Sequence, residues 1–255
     1  MAIRKNAARP EPILVPCAAC PLRRQDIFKK ATAEEIAFIQ QLKIGELVLP
    51  AGSQVMREDV PTGEYFTLLG GWAFRYRTLS SGARQILNFL LPGDFLGLQE
   101  KLDGKAAHGV ELLTDGVLCR FPGERLFDVY RSHPALGYDL TWLAAHEELI
   151  MDENLVSVGQ RSAPQRIAML LIHLFKRAES VGLKDEDDTV PFPVTQQHMS
   201  DALGLSLVHT HRTLRRLQHS GLFHVEDGRL AIRKPKALRH LADYYALPLR
   251  DRPLI

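Results

Sequence analysis

The sequence predicts an α+β protein with an antiparallel β-roll in its first half, a long helix after the roll, and a winged helix-turn-helix near the end. Short alternating segments separated by turn residues run from about Leu42 to Phe121. Beyond Pro134 apolar residues recur at spacings of three and four, and a basic region with a Gly turn follows. The expected divisions are a cysteine-bearing segment 1–30, the roll 31–133, the long helix 134–160 and the winged unit 161–247.

Composition limits the class of protein and the cellular compartment that we expect. The chain has 255 residues, 45% of them hydrophobic, which is enough for a sizeable core. No apolar run follows the basic residues of the first twelve positions, and no stretch approaches the roughly 20 apolar residues of a membrane helix. We therefore expect a cytoplasmic protein without a membrane partner. Three cysteines, an odd number, argue against a disulfide framework and leave redox chemistry or metal binding open.

The predicted roll consists of short strands. "EYFTLL" runs into Gly70 and Gly71, and "WAFRYRTL" alternates aromatic residues with arginines, as a strand with one buried face should. "SSG" turns the chain into "RQILNFLL", "PGD" ends that strand, and "GVLCRFP" is another. This spacing favours an antiparallel barrel or roll.

Periodicity predicts one long helix over about 135–158 and a second helix that begins at Pro164. Part of the long helix must pack on the roll, and a helix of this length between two domains can also pair with its own copy across a twofold axis. The residues expected at that dimer interface are Leu140, Leu143, Glu147, Ile150, Met151 and Leu155.

The charge is unevenly distributed. Residues 191–240 hold eight Lys or Arg against three acids, a balance of +5, whereas the whole chain carries +2. The remainder is therefore at −3. A basic region on an acidic body predicts a polyanionic partner there.

The basic region contains two short helical patterns. Thr195 can cap a helix that ends at Leu203, Gly204 makes the turn, and Ser206 can cap a second helix to about His219. "GLFHVEDGRLAI" then predicts a two-stranded wing. This pattern is a helix-turn-helix, whose second helix fits the major groove of double-stranded DNA. The predicted DNA-binding residues are Thr195, Ser206, Leu207, Val208, His209, His211, Arg212 and Arg215.

From residue 15 to about 245 the chain resembles the CRP/FNR family of bacterial transcription regulators, most closely in "LLPGDFLGL" and "ALGLSLVHTHRTLRRL". The resemblance implies a cyclic-nucleotide-binding-like roll as sensor, a homodimer on a palindromic operator, and RNA polymerase as a partner, rather than an enzyme. It also implies DNA contacts by Ser206 and Arg212. The glutamate common on the family's recognition helix falls at Val208, so the familiar operator half-site does not carry over.

Cyclic-nucleotide-binding members of the family use a Glu and an Arg of a roll loop for the ribose and the phosphate. Leu98 stands where that Glu would be, and no Arg occurs around 106–109. A buried cyclic phosphate without a cationic partner would be unfavourable. We therefore expect no cyclic nucleotide as ligand.

The FNR branch of the family holds a four-iron four-sulfur cluster with three N-terminal cysteines and one roll cysteine. Cys17, Cys20 and Cys119 match three of those positions, and Asp26 stands at the fourth. This resemblance implies a 4Fe-4S cluster with Cys17, Cys20, Cys119 and Asp26 as ligands, and a carboxylate ligand would change its potential and lability.

Other interpretations stay open. Cys17 and Cys20 could form a redox dithiol, zinc could bind with His108 as a fourth ligand, or the cysteines could serve no metal. A cupin-like metalloenzyme would need two or three His on the roll, and only His108 lies between Leu42 and Phe121. The helix-turn-helix opposes a nucleotide-gated module without DNA binding. The signal could be oxygen, nitric oxide, iron or redox state.

Overall fold

The computed structural model describes residues 15–100, 104–244 and 251–255. Residues 1–14, 101–103 and 245–247 of the expected divisions therefore lie outside the described residues. The first half of the chain forms two four-stranded antiparallel sheets, with strand orders β1-β8-β3-β6 and β2-β7-β4-β5. The strands are β1 (Gly45–Leu49), β2 (Gln54–Met56), β3 (Glu64–Gly70), β4 (Ala73–Thr78), β5 (Arg84–Leu90), β6 (Phe95–Leu96), β7 (Gly109–Leu112) and β8 (Gly116–Pro122).

The two sheets bury their alternating apolar residues against each other, which confirms the predicted roll. Leu68 and Leu118, paired across β3 and β8, are completely buried, as is Leu90 of β5. The "PGD" turn is fixed by packing, because a Cβ on Gly93 would collide with the ring of Phe28 and φ there is +92°. The turn therefore receives the ring of Phe28 from the N-terminal segment.

Helices account for most of the second half. The long helix α3 (Pro134–Gln160) begins at a proline, a residue that is favoured in the first turn of a helix. It ends before Arg161, whose backbone is extended. A capping box of Ser162 and Gln165 opens the next helix, α4. The helices are α1 (Ala33–Leu42), α2 (Leu126–Ser132), α3 (Pro134–Gln160), α4 (Ala163–Ser180), α5 (Gln196–Leu203), α6 (Leu207–His219) and α7 (Pro235–Ala242).

A three-stranded antiparallel sheet, in the order β10-β11-β9, flanks α5 and α6. Its strands are β9 (Thr189–Pro191), β10 (Phe223–Glu226) and β11 (Arg229–Ile232). The wing turns at Asp227 and Gly228, both with positive φ, as the sequence predicted. The acidic segment before it supplies β9 as a short edge strand.

The winged unit packs directly on the roll. Arg84 of β5 pairs with Asp201 of α5 at 3.2 Å, and the Gln85 side chain donates to the Ala202 carbonyl at 3.1 Å. Aromatic residues of the roll and apolar residues of α4 to α7 belong to one continuous buried cluster. Among the described residues, no helix combines the length and the apolar character that crossing a membrane requires.

Candidate cysteine cavity and nucleic-acid interface

Folding brings the three cysteines to one place. Cys17, Cys20 and Cys119 all line a cavity of about 20 Å³ between the N-terminal segment and the roll. All three are free thiols, and Cys17 and Cys119 are buried. A cavity of this volume holds roughly one water molecule. The cysteine cavity, as we call this site, is therefore a small space whose lining includes all three cysteines.

Hydrogen bonds hold the cysteine-bearing segment in place. Cys17 begins a 3-10 helix (Cys17–Ala19), where its N–H donates to Gln40 Oε1 of α1 at 2.7 Å. The Arg23 side chain donates back to the Cys17 carbonyl at 3.1 Å. Cys119 comes from β8 at the centre of a sheet, opposite Glu46 on one side and Thr67 on the other. Helix and sheet contacts thus set the positions of both buried thiols.

A buried ion pair adjoins the thiols. Lys43 Nζ lies 2.5 Å from Glu46 Oε1, and both side chains are about 1% exposed. Burial raises the pKa of Cys119 to about 11 and raises the pKa of Cys17, although the Lys43 ammonium opposes both shifts. Burial tends to lower the pKa of Lys43, but the hydrogen bond to Glu46 and the charges of Cys119, Glu46 and Cys17 together outweigh that effect and the pKa is raised. Burial accordingly favours the protonated form of the Cys17 and Cys119 thiols.

The predicted fourth ligand does not reach this cavity. Asp26 is exposed in the turn that follows the second 3-10 helix (Pro21–Arg24), and it is not among the lining residues. His108 is buried just before β7 and does not line the cavity either, so this conformation offers no support for zinc with that ligand. Within residues 15–100, 104–244 and 251–255, no three His, Cys, Asp or Glu side chains are spaced to hold one metal ion.

Three cysteine thiolates are suitable ligands for an iron–sulfur cluster, but the cavity in this conformation is too small to hold one. The soft donors of Cys17, Cys20 and Cys119 are the ligand type that iron–sulfur clusters use. A space for one water is too small for such a group. Leu22, Leu254 and Ile255 stand in the lining, so side chains there would have to move for any larger group to enter.

The second site is the face of α6. Thr195 caps α5 by accepting from the His198 N–H, Gly204 ends that helix with φ +61°, and Ser206 caps α6 by accepting from the His209 N–H at 3.2 Å. Buried Leu214 and Leu217 face the core of the winged unit. The two helices are the predicted helix-turn-helix.

The residues predicted to contact DNA lie mostly on the open side of α6. Val208 is 78% exposed and Leu207 47%. His209 is half-buried, and the exposed His211 bonds to Gln196 of α5 through Nδ1 at 2.9 Å. The exposed predicted residues are Thr195, Ser206, Leu207, Val208, His211, Arg212 and Arg215. An exposed helix face with two arginines matches the geometry of major-groove insertion.

Most of the residues predicted for the dimer interface are buried or half-buried within the protomer. Leu140 and Leu143 are buried in a cluster with Tyr65 and Phe121 of their own roll, and Ile150 is also buried within the protomer. Glu147 pairs with Arg75 of β4 at 3.2 Å, and the same arginine contacts Met151 Sδ. Of the six residues, Leu155 alone is exposed, at 72%. The stripe recognised in the sequence is the one that packs on the roll.

A different stripe on α3 faces outward. Its members recur at alternating spacings of four and three, the repeat of a coiled-coil seam, on the side opposite Leu143. Tyr138 and Leu149 are 68% and 57% exposed, and Leu155 flanks the stripe. We call it the α3 seam; its positions are Tyr138, Trp142, Ala145, Leu149, Asp152, Val156 and Gly159.

Two protein families match the chain in the order of its domains. Residues 46–133, which hold nearly all of the roll, match the cyclic nucleotide-binding domain, and residues 165–241 match the Crp-like helix-turn-helix domain. The two matches correspond to the two units described above.

Full-length relatives have the same organisation. The nitrogen fixation regulation protein FixK of Bradyrhizobium diazoefficiens is 29% identical over 227 residues, which cover 89% of this chain and 93% of FixK. The transcriptional activator protein FnrL of Cereibacter sphaeroides is 27% identical over 222 residues, 86% of this chain and 88% of FnrL.

Solved structures share the fold. FixK2 from Bradyrhizobium japonicum superposes with a TM-score of 0.70 at 23% identity, covering 79% of this chain and 98% of that one. A CRP/FNR-family regulator from Thermus thermophilus gives a TM-score of 0.64 at 19% identity, covering 78% of this chain and 98% of that one. The protein described here is a member of the CRP/FNR family of DNA-binding transcription regulators.

Proposed function

We propose that this DNA-binding regulator acts as a homodimer on a palindromic operator and that the chemistry of Cys17, Cys20 and Cys119 controls its DNA binding. An iron–sulfur cluster is the group that we propose these thiolates hold, in a conformation in which side chains of the lining have moved out of the cavity. The observation that carries the proposal is the convergence of the only three cysteines of the chain on one cavity. Two lie in the N-terminal segment and one in a central roll strand, so no local pattern brings them together.

The cavity is physically connected to the long helix. Cys17 and Cys119 belong to the same buried apolar cluster as Leu136, Leu140 and Leu143 of α3. Packed interiors transmit changes in shape because they contain few voids. A change at the thiols therefore reaches the helix whose opposite face carries the α3 seam, which is the surface that we propose pairs in the dimer.

The experiment is an anaerobic purification followed by iron and sulfide analysis, an absorption spectrum, and operator binding before and after exposure to air. The operator is selected from random duplex DNA by the purified protein. We expect iron and sulfide in the anaerobic protein and weaker operator binding after air. The Cys17→Ala variant should contain neither iron nor sulfide. Wild-type protein without iron or sulfide, or a Cys17→Ala variant that keeps both, would refute the cluster.

Asp26 supplies the matched control. Because its carboxylate is exposed and outside the cavity, Asp26→Ala should retain the iron and sulfide of the wild type. Loss of iron from this variant would restore Asp26 as a ligand and would require the N-terminal segment to rearrange when the cluster binds.

A second candidate is thiol redox control without a metal. The small size of the cavity favours this candidate. The reduced thiols surround a space that holds about one water molecule, and thiol chemistry alone needs no larger group to enter it. Oxidation of Cys17 and Cys20 to a disulfide would release two electrons and two protons to an oxidant. Mass spectrometry of alkylated protein before and after air distinguishes the two candidates: a Cys17–Cys20 disulfide without prior iron supports redox control alone.

A further inference from the structure

Residues 251–255, which we call the strap, lie on the roll and not on the winged unit that precedes them in the chain. The Arg252 N–H donates to the Ile27 carbonyl at 2.7 Å, and the Lys29 N–H donates to the Arg252 carbonyl at 2.8 Å. These bonds form a parallel bridge between Arg252 and Phe28. Backbone pairing of this kind is how extended peptides are held at exposed strand edges.

A charged side chain anchors the strap. Arg252 Nη2 donates to Asp94 Oδ1 and to the Gly93 carbonyl in the "PGD" turn of the roll. Asp94 is buried and also pairs with Arg177 of α4 at 2.5 Å. Charge-assisted bonds to a buried carboxylate are stronger and more specific than contacts on the surface. Asp94 therefore joins three units: the roll, the winged unit and the strap.

The end of the strap closes the cysteine cavity. Leu254 and Ile255 are buried and line the cavity beside the three thiols. Arg23, which holds the Cys17 carbonyl, also donates to the Leu254 carbonyl at 3.3 Å. Thr67, opposite Cys119 in the sheet, donates its hydroxyl to the Ile255 carbonyl. The strap therefore contacts a neighbour of each buried cysteine: Arg23, which holds the Cys17 carbonyl, and Thr67, which lies opposite Cys119.

We propose that the strap is an intramolecular peptide ligand of the sensor, and that the seated strap and a cysteine-bound group larger than a water molecule exclude each other. The second half of this statement rests on the proposed function. Leu254 and Ile255 form part of the wall of this small cavity, and in this proposal they are the side chains that a larger group displaces. Since the strap continues the chain beyond α7, its release removes one of the ties between the winged unit and the roll.

The first test measures binding of the strap as a separate peptide. The protein is truncated after residue 250 and titrated against a fluorescein-labelled peptide, Asp-Arg-Pro-Leu-Ile, while fluorescence anisotropy is recorded. We expect saturable binding to the truncated protein and none to the full chain, where the groove is already filled. Absence of binding to a folded truncated protein, judged by its thermal unfolding transition, would overturn the proposal.

Peptide variants provide controls that leave the protein unchanged. Arg252→Ala removes the bond to Asp94 and Leu254→Asp places a charge in the apolar lining, so each should weaken binding about tenfold or more. Asp251 is exposed, so Asp251→Ala should bind like the parent peptide. Equal affinity for all four peptides would show that the groove does not recognise this segment.

The second test measures closure of the cavity. Iodoacetamide labelling of Cys119, followed by peptide mass spectrometry, should be at least about tenfold faster in the truncated protein than in the full chain, because local opening governs access to buried groups. Added peptide should slow the labelling again. Unchanged labelling rates would refute closure by the strap.

Iron loading separates this proposal from the proposed function. The full chain is reconstituted anaerobically with iron and sulfide. If the seated strap and the cluster exclude each other, the strap should leave its groove on loading. The Arg252 amide hydrogen should then exchange with solvent faster than before loading. Iron-loaded protein in which that amide remains protected, as judged by hydrogen-exchange mass spectrometry, would refute exclusion. Protein that binds no iron would refute the cluster. The peptide-binding and labelling experiments would still test whether the strap is a ligand of the sensor.

Discussion

At the scale of single residues, the exposed side chains on α6 are the ones that we predict to select the DNA sequence. Arg212 is exposed one turn beyond Val208, on the side of the helix that the core leaves open. A guanidinium can bind guanine through two hydrogen bonds, whereas an apolar Val208 can only contact a thymine methyl group. We therefore predict that any base contact made by Val208 is apolar.

Arg212→Ala should weaken binding to the selected operator by on the order of 1–3 kcal/mol and relax the preference for one base pair. Titration of labelled operator in an electrophoretic shift assay measures the change. Arg131→Ala, which removes an exposed arginine from α2 of the sensor, is the matched control and should bind like the wild type. Unchanged operator affinity for the Arg212 variant would contradict the assignment of this face.

Lys236 tests the non-specific component of binding. It is exposed at the start of α7, in the basic region. If it contacts phosphate, Lys236→Ala should lower affinity for all sequences and reduce the slope of log affinity against log salt by about one. Operator titrations at several salt concentrations give that slope. A changed base preference with an unchanged slope would instead place Lys236 at a base edge.

At the scale of elements, α3 has one apolar face that the roll covers and one that is exposed in the protomer. One face, with Leu140 and Leu143, packs on the roll of its own protomer, and the other is the α3 seam with Leu149 and Val156 exposed. The sequence shows both stripes. The position of the roll determines which stripe is buried within the protomer. The other stripe stays exposed, and it is the one that we propose pairs with a second copy.

Leu149→Glu should leave the protomer folded and shift it from dimer to monomer, because a charge in an apolar seam has no partner there. Leu143→Glu should instead unfold or destabilise the protomer by several kcal/mol, since it places an unpaired charge in the core. Sedimentation velocity and thermal unfolding measure the two effects. Ala144→Glu, at an exposed position outside the seam, is the control. A dimeric Leu149→Glu protein would contradict the seam.

At the scale of the whole molecule, Asp94 connects parts of the chain that are far apart in sequence. Burial alone would raise the pKa of this carboxyl, but Arg177 and Arg252 outweigh it and hold the pKa at about 2. The ordinary pKa is 3.8. A carboxylate with a lowered pKa in the folded state stabilises that state above the unfolded pKa and loses this effect as pH falls toward the folded pKa.

Asp94 should therefore contribute about 2 kcal/mol to the free energy of unfolding at neutral pH, a contribution lost between about pH 4 and pH 2. Urea unfolding of the wild type and of Asp94→Asn across that range measures it. The stability difference between the two proteins should shrink as the pH falls. A difference that stays constant from about pH 7 to about pH 2 would show that the charge of Asp94 does not contribute.

Local signals in the sequence predicted most of the fold. The caps Thr195 and Ser206, the turn at Gly204 and the wing turn at Asp227 each depend on neighbouring residues alone, so these elements appear where the pattern places them. The strands of the roll follow from alternation in the same way. The match of Cys17, Cys20 and Cys119 to a family pattern also singled out the residues that line the cavity.

Only the tertiary structure decided how these elements combine. Periodicity identifies an apolar stripe but not the surface that covers it, so only the structure showed that Leu140 and Leu143 of the predicted dimer stripe pack on the roll. Spacing placed Asp26 in the ligand set, yet the turn after Arg24 leaves its carboxylate in solvent. The five residues of the strap have no period at all, and their role depends on backbone bonds and on Asp94, which are formed only when segments distant in sequence meet.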